Sequence, residues 1–139
     1  MIRTSFSFPA YIDYLPLLLG LSGLSSDMRV LESSDSEEAQ LALGHFCYWA
    51  RYHMSALIGA MQGVDVIAFT GGIGENSANI RACLCDGFAW AGAQIAPEQN
   101  AKNNEKLHHE KSKIHIWCIP ADEERTIAAE THRIIRNSQ

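Results

Sequence analysis

The feature that most constrains the fold of this chain is an apolar segment that runs directly into a cluster of glycines. Val64–Thr70 reads VDVIAFT, and Gly71, Gly72 and Gly74 follow it. An apolar, β-branched segment of this length is typical of a strand that is covered on both faces, as in a layered α/β sheet. The glycines lack a Cβ and accept unusual backbone angles. The sequence therefore predicts a strand-to-helix turn with unusual backbone angles at one edge of a sheet.

Apolar residues that recur every three or four positions predict helices on both sides of this strand. One long helix is predicted from Ser36 to about Met61, with Gly63 ending it, and a second helix from Ser77 to Ala91. The residues between Ile114 and Ile119 alternate as in a strand. We expect the two strands to be neighbours in one sheet that is flanked by the helices.

The remaining segments are assigned from their turn residues and charges. Leu17–Asp27 is rich in glycine and serine, and it is predicted to be a loop that leaves through a short extended segment at Met28–Leu31. Asp122–Glu124 opens a last predicted helix, because acidic residues suit the positive end of a helix dipole. The apolar face of that helix consists of Ile127, Ala128, Thr131, Ile134 and Ile135.

Asn100–Lys113 is strongly polar and is predicted to be a surface connection. It contains His108 and His109, whose adjacency suggests a metal site, but no second group of ligands accompanies them. A solvated loop is therefore the favoured interpretation of these two residues.

Charge, length and cysteine spacing exclude several classes of function. The chain has 139 residues, 47% hydrophobic, which suits one globular domain. Its net charge of -5 and its lack of a basic run argue against binding to nucleic acid or to a membrane surface. The longest apolar run, Leu15–Leu21, is too short to cross a bilayer. The cysteines match no zinc or redox motif, so buried free thiols in the cytoplasm are expected. They are Cys47, Cys83, Cys85 and Cys118.

The glycine junction is the strongest candidate for a ligand site. Free N–H groups at the start of a helix attract an anion or a polar ligand, and bare glycines let that ligand approach the backbone. Asn76 and Ser77 can cap the helix or contact the ligand. A tight connection without any ligand is an equally good interpretation of the glycines. The spacing matches neither the dinucleotide fingerprint nor the P-loop, so both common nucleotide motifs are excluded.

Three segments, in the same order, resemble the acetate and propionate kinase family. The string AFTGGIGENSANIR resembles the nucleotide-site signature of these kinases. LLGLSGLSSDMR, at Leu18–Arg29, is similar to their glycine-rich segment that ends in Asp-x-Arg. IPADEERTIA, at Ile119–Ala128, is similar to their near-terminal Ile-Pro-Thr-Asp/Asn-Glu-Glu. The resemblance divides the chain into a divergent segment, 1–16, and a C-terminal nucleotide-binding portion, 17–139.

The resemblance implies a fold and a binding site. The fold is part of the C-terminal domain of the sugar kinase, Hsp70 and actin superfamily, an α/β domain whose mixed sheet is flanked by helices. The implied ligand is an adenine nucleotide, ATP or ADP, with Gly72 and Asn76 nearest its adenosine. One wall of the site is formed by Asp27, Met28 and Arg29, and the other by Gly72, Ile73, Gly74, Glu75 and Asn76.

Two of the charged residues have alternative interpretations. The resemblance assigns Glu123 to a carboxylate associated with magnesium (Mg2+), which suits phosphoryl transfer. From the sequence alone, Glu123 is a glutamate in the first turn of the predicted helix, where it interacts favourably with the positive end of the helix dipole. Arg29 is a surface cation, an ion-pair partner of Asp27, or a group that stacks on the adenine face.

The implied activity is ATP-dependent phosphotransfer to a short-chain carboxylate, which gives an acyl phosphate. In the family, the groups that bind the acyl substrate and handle the transferring phosphoryl group lie upstream, and none has a counterpart in this chain. Such transfer depends on positioning and charge stabilisation, so we assign no catalytic residue and expect the chain alone to be inactive. Two alternatives remain: a non-catalytic nucleotide-binding module, and an interaction module that forms a homo-oligomer through exposed core.

Overall fold

The computed structural model describes residues 15–121 of the chain. The helices in this part are α1 (Leu15–Ser22), α2 (Met28–Glu32), α3 (Glu37–Met61), α4 (Gly71–Asn76), α5 (Ala78–Asp86) and α6 (Pro97–Ala101). The strands are β1 (Val66–Phe69) and β2 (His115–Cys118), and Ala89–Ala91 forms one turn of 3-10 helix. Residues 1–14 and 122–139 lie outside the described residues. The predicted last helix and Glu123 fall in that second range.

The two strands pair in parallel, from Val66 opposite His115 to Phe69 opposite Cys118. This confirms that they are neighbours in one sheet. Side chains alternate along β1, so that Ile67 and Phe69 are buried while Val66 is 54% exposed. The expectation of a strand covered on both faces is therefore wrong for the described residues, because their buried core lies on one face of the sheet.

The long helix α3 forms as predicted and organises the packing. Ser36 caps its start, because the Ser36 hydroxyl accepts a hydrogen bond from the Ala39 N–H at 3.1 Å. At the other end, Gln62 takes the left-handed conformation with a φ of 61°. The buried stripe of α3 contains three alanines, which let α1, α2 and α5 approach closely. That stripe consists of Ala39, Ala42, Phe46, Cys47 and Ala50.

The predicted loop with an extended exit is wrong, since its residues form most of α1 and most of α2. The serines and the aspartate of this segment act as caps and turn residues between two short helices. The hydroxyl of Ser22 accepts hydrogen bonds from the N–H groups of Leu24 and Ser25. Asp27 then caps α2 by accepting from the Arg29 N–H at 2.9 Å.

The predicted surface connection at Asn100–Lys113 is also partly wrong. Its first residues belong to α6, and its centre runs antiparallel to β2, where Leu107 and His108 are buried. The Leu107 N–H donates to the Ile116 carbonyl at 2.9 Å, and the Ile116 N–H donates to His108 Nδ1 at 3.1 Å. His108 is therefore a backbone-bonded core residue, whereas His109 is exposed.

Candidate functional site

The glycine segment is itself a short helix, α4, rather than the turn that the sequence predicts. Gly71 enters it with a φ of +73°, a conformation that side chains other than glycine rarely adopt. Ser77 ends α4 and caps α5, because its hydroxyl accepts from the Ile80 N–H at 3.1 Å. The second predicted helix accordingly starts where expected, but it ends at Asp86 instead of Ala91.

Two of the predicted nucleotide-contacting residues lie on the outer surface of α4. Gly72 and Asn76 are exposed, and Asn76 Nδ2 donates to the Gly72 carbonyl at 2.8 Å. A Cβ atom built on Gly72 would meet no other atom within 4 Å. The backbone around Gly72 is thus open to a ligand. Packing within the described residues does not explain why this position is a glycine.

The other three residues of this predicted wall serve the fold. Ile73 packs against the hydrophobic core. A Cβ on Gly74 would lie 3.2 Å from the backbone carbon of Phe69, so α4 folds closely back on β1. Glu75 turns its carboxylate towards the backbone, where Oε1 accepts from the N–H groups of Gly71 at 2.7 Å and Ala121 at 2.8 Å.

Arg81 is a residue of the site region that the sequence reasoning missed. Its side chain is fully buried, and its Nη1 donates to the carbonyls of Gly74 at 2.9 Å and Glu75 at 3.0 Å. Its Nε and Nη2 donate to Asn100 at 2.7 and 2.8 Å, and Nη2 also donates to Asn103. Burial lowers the pKa of Arg81 from its ordinary value, but a guanidinium remains charged at neutral pH.

A sequence signal for Arg81 does exist. Arg81 lies three and four residues before Leu84 and Cys85, which are both buried, so it belongs to the buried stripe of α5. An arginine in such a stripe requires several acceptors close by, because a buried charge is costly unless it is hydrogen-bonded.

The Asp27–Arg29 segment forms the first turn of α2 and carries an ion pair. The Asp27 carboxylate accepts from Arg29 Nε at 3.1 Å and from Nη2 at 2.6 Å. This hydrogen bonding from the Arg29 side chain, followed by that from its backbone N–H, lowers the pKa of Asp27. Met28, between them, is buried. Of the alternatives for Arg29, the ion pair with Asp27 is present, and it holds a mostly exposed guanidinium at the surface.

The two predicted walls lie on elements that are joined by one hydrogen bond. The Ser77 hydroxyl donates to Glu32 Oε1 at 2.6 Å, which links the end of α2 to the junction of α4 and α5. Asp27 and Arg29 lie at the opposite end of α2 from Glu32, so this hydrogen bond links the two walls through the length of that short helix.

The described residues give no further support for a metal. Within residues 15–121, no group of three histidines, cysteines or acidic residues could hold an ion. Glu123, the predicted magnesium-associated residue, lies outside this range. Over the same range, no helix is long and apolar enough to cross a membrane.

Comparison with known proteins identifies the family. The sequence model of the Acetokinase family matches residues 16–129, so the chain belongs to that family. Among curated relatives, the acetate kinase of Solibacter usitatus is 43% identical over 125 residues, which cover 85% of this chain and 30% of the relative. The acetate kinase of Nitrobacter hamburgensis is 44% identical over 114 residues, covering 82% and 28%.

Solved structures of acetate and propionate kinases resemble the fold. The Porphyromonas gingivalis acetate kinase superimposes with a TM-score of 0.78 at 34% identity, covering 85% of this chain and 31% of that one. The propionate kinase from Francisella tularensis superimposes with a TM-score of 0.70 at 30% identity, covering 77% and 28%. This chain thus spans about 30% of the length of the curated relatives that it matches.

Proposed function

We propose that this chain is the C-terminal, adenine-nucleotide-binding part of an acetate or propionate kinase-type phosphotransferase. Such an enzyme forms an acyl phosphate from ATP and a short-chain carboxylate. The observation that carries the proposal is the open glycine surface on α4, which is linked to the Asp27–Arg29 turn through Glu32 and Ser77. Membership of the Acetokinase family supports the kinase-type function.

The finer structural assignment belongs to the same proposal. Residues 17–139 form the C-terminal portion of an actin-like domain of the sugar kinase, Hsp70 and actin superfamily, and residues 1–16 are a separate, divergent segment. The mixed sheet of that domain includes β1 and β2. The superposition on acetate and propionate kinases supports this assignment. A cytoplasmic location is part of the proposal, and the free cysteines support it.

The adenosine of ATP or ADP lies against Gly72 and Asn76 on one side and against the Asp27–Arg29 turn on the other. Glycine backbone admits a flat ring closely, and a guanidinium held by a carboxylate presents a planar face on which adenine stacks. Ile73, Gly74 and Glu75 contribute by holding α4 in shape. Since no residue of the chain is assigned to the phosphates, ATP and ADP bind about equally, with an affinity of roughly millimolar order.

Catalysis is not assigned to any residue of this chain. Glu123 is proposed to hold the magnesium ion that accompanies the nucleotide, a role that suits a carboxylate. The groups that handle the transferring phosphoryl group in the family have no counterpart here, so the chain alone does not turn over. The acyl phosphate and carboxylate are substrates of a full-length enzyme.

An NMR titration with ADP tests the nucleotide site. Backbone amide signals of Gly71–Ser77 and Asp27–Val30 should shift together and fit a single dissociation constant of roughly millimolar order. Signals of the C-terminal part of α3, such as Ala56 and Ala60, serve as internal controls because both residues are exposed and lie on neither wall. A titration that shifts no signals, or shifts that avoid α4, would overturn the proposal.

A second candidate function, an interaction module, has its own support. The outer face of the sheet exposes Val66, and one side of α3 exposes Tyr48 and Tyr52, which contact the Trp49 ring edge-on. Exposed apolar and aromatic surface of this kind is typical of a site that binds another polypeptide, including a second copy of the chain. Sedimentation equilibrium distinguishes the candidates, since a module of this kind should self-associate at micromolar concentration without nucleotide.

A further inference from the structure

We propose that Arg81 is a positioning residue that fixes the shape of the glycine helix α4 from beneath, and so prepares its outer surface for a nucleotide. The inference rests on the proposed nucleotide-binding function. It concerns a residue that does not touch the ligand surface itself, because the Arg81 side chain is fully buried.

Arg81 binds the last turn of α4. The last carbonyls of any helix lack intrahelical partners, and a six-residue helix has few internal hydrogen bonds to define its shape. Arg81 Nη1 donates to the carbonyls of Gly74 and Glu75, which belong to that last turn. Gly72 and Asn76, the exposed residues, lie on the same short helix. Fixing its last turn therefore also fixes their backbone.

Arg81 is itself held by two asparagines. Asn100 accepts from the guanidinium through both its side chain and its backbone carbonyl. Asn100 is itself fixed, because its Nδ2 donates to the Ala78 carbonyl at 2.8 Å. Asn103 accepts a further hydrogen bond from Nη2. The guanidinium therefore connects the last turn of α4 to the end of α6, with geometry that a planar fork provides and a lysine ammonium does not.

The acceptors of the guanidinium are neutral carbonyl and amide oxygens, and the Glu32 carboxylate bonds to Ser77 instead. An apolar residue in place of Arg81 would leave these oxygens without their donor, which is costly, and a lysine ammonium does not offer the planar fork that reaches all of them. The feature that requires an arginine is the simultaneous hold on two carbonyls of α4 and on two asparagines.

Hydrogen exchange, measured for separate peptides, tests directly whether Arg81 stabilises the last turn of α4, and it needs no ligand. In Arg81→Lys, amides of Glu75–Ser77 should exchange about tenfold faster, because a lost charge-assisted hydrogen bond changes an opening equilibrium by roughly that factor. Amides of α1 and α3 should be unchanged. Arg51→Lys is the matched control, since Arg51 is half-buried and donates to the Cys47 carbonyl without contacting α4.

ADP affinity, measured on the same proteins, tests the consequence. Arg81→Lys should weaken ADP binding about tenfold, whereas Arg51→Lys should not. If Arg81→Lys loses its cooperative unfolding transition, Asn103→Gly replaces it. Asn103 is exposed and has a φ of 51°, which glycine accepts, so this substitution removes the acceptor without backbone strain. It should produce the same changes, in the same peptides, by a smaller factor.

The outcomes separate this inference from the proposed function. Faster exchange in α4 with weaker ADP binding supports the inference. Unchanged exchange in α4, or faster exchange with unchanged ADP affinity, overturns it and leaves the nucleotide site intact. If the unsubstituted chain binds no ADP, the proposed function fails, and with it the role of Arg81 in preparing a nucleotide surface, whatever the exchange data show.

Discussion

At the scale of single residues, the glycine helix owes its position to side chains that arrive from distant parts of the chain. Glu75 ties the start of α4 to Ala121, 46 residues further on, and Arg81 reaches Asn100, 19 residues away. The sequence predicts where the glycine segment lies, because a strand followed by glycines is a local pattern. It does not predict that Glu75 also accepts a hydrogen bond from the Ala121 N–H, because only the fold brings that group near.

The buried thiols give a prediction at this scale. Burial raises the pKa of Cys85, and of Cys47 with a further contribution from Cys83, to about 12, from an ordinary value of 9.0. In the unfolded chain these thiols ionise near their ordinary pKa. The stability that they contribute is therefore present below about pH 9 and is lost as pH rises towards about 12.

Between pH 7 and pH 10, the free energy of unfolding in urea should fall by roughly 1 kcal/mol for each of these thiols. Cys85→Ala should show a smaller fall over this range, although it is less stable at both pH values because it leaves a small cavity. The quantity to compare is the fall in the free energy of unfolding between pH 7 and pH 10, in Cys85→Ala and in the unsubstituted chain. An equal alkaline loss in Cys85→Ala and in the unsubstituted chain would contradict the assignment.

At the scale of elements, the sequence predicts long helices better than short ones. Helix α3 is found because 25 residues give many repeats of its apolar spacing. The first helices, α1 and α2, have eight and five residues, and the serines and glycines in and between them favour a loop when only local composition is considered. In the structure Ser22 and Ser25 accept turn hydrogen bonds from the backbone between the two helices, and Asp27 caps α2.

Ser77 gives the prediction for this scale, because it both caps α5 and bonds to Glu32. Ser77→Ala should lower the free energy of unfolding by about 1–2 kcal/mol and should weaken ADP binding, since it separates α2 from α4. Ser36→Ala removes the cap of α3 and serves as the matched control.

The control should lose about 1 kcal/mol of stability with no change in ADP affinity, because Ser36 does not link the two walls of the site. Urea unfolding and ADP titration of both variants check this. Equal effects of the two substitutions on ADP affinity would show that the link between Glu32 and Ser77 does not position the site.

At the scale of the whole molecule, the sequence correctly predicts that the two strands pair, but it wrongly predicts that both faces of β1 are buried. The residues of β1 suit burial on both faces, yet Val66 and Ala68 are exposed in the described part of the chain. The chain spans about 30% of the length of its curated relatives. The composition of β1 alone does not show which of its two faces the described residues bury.

The proposal that no residue of this chain handles the transferring phosphoryl group leads to a prediction about activity. On that proposal, the purified chain, given ATP, magnesium and acetate or propionate, should form no acyl phosphate above background in a coupled assay, because such transfer depends on positioning and charge stabilisation. A mock purification from cells without the gene gives the background. Robust, magnesium-dependent turnover by this chain would contradict the proposal.

The nucleotide site depends on the glycine surface of α4, and the ADP affinity of Gly72→Val tests it most directly. A Cβ atom at Gly72 would have no other part of the protein within 4 Å, so we expect valine there to leave the fold intact and to occupy the space of the adenosine. Gly44→Val is the matched control, because Gly44 is an exposed helical glycine on α3 with equally open surroundings. We expect the unsubstituted chain and Gly44→Val to bind ADP with a dissociation constant of roughly millimolar order, and Gly72→Val to bind about tenfold more weakly or not at all. An unchanged ADP affinity in Gly72→Val, with the unfolding transition intact, would contradict the account.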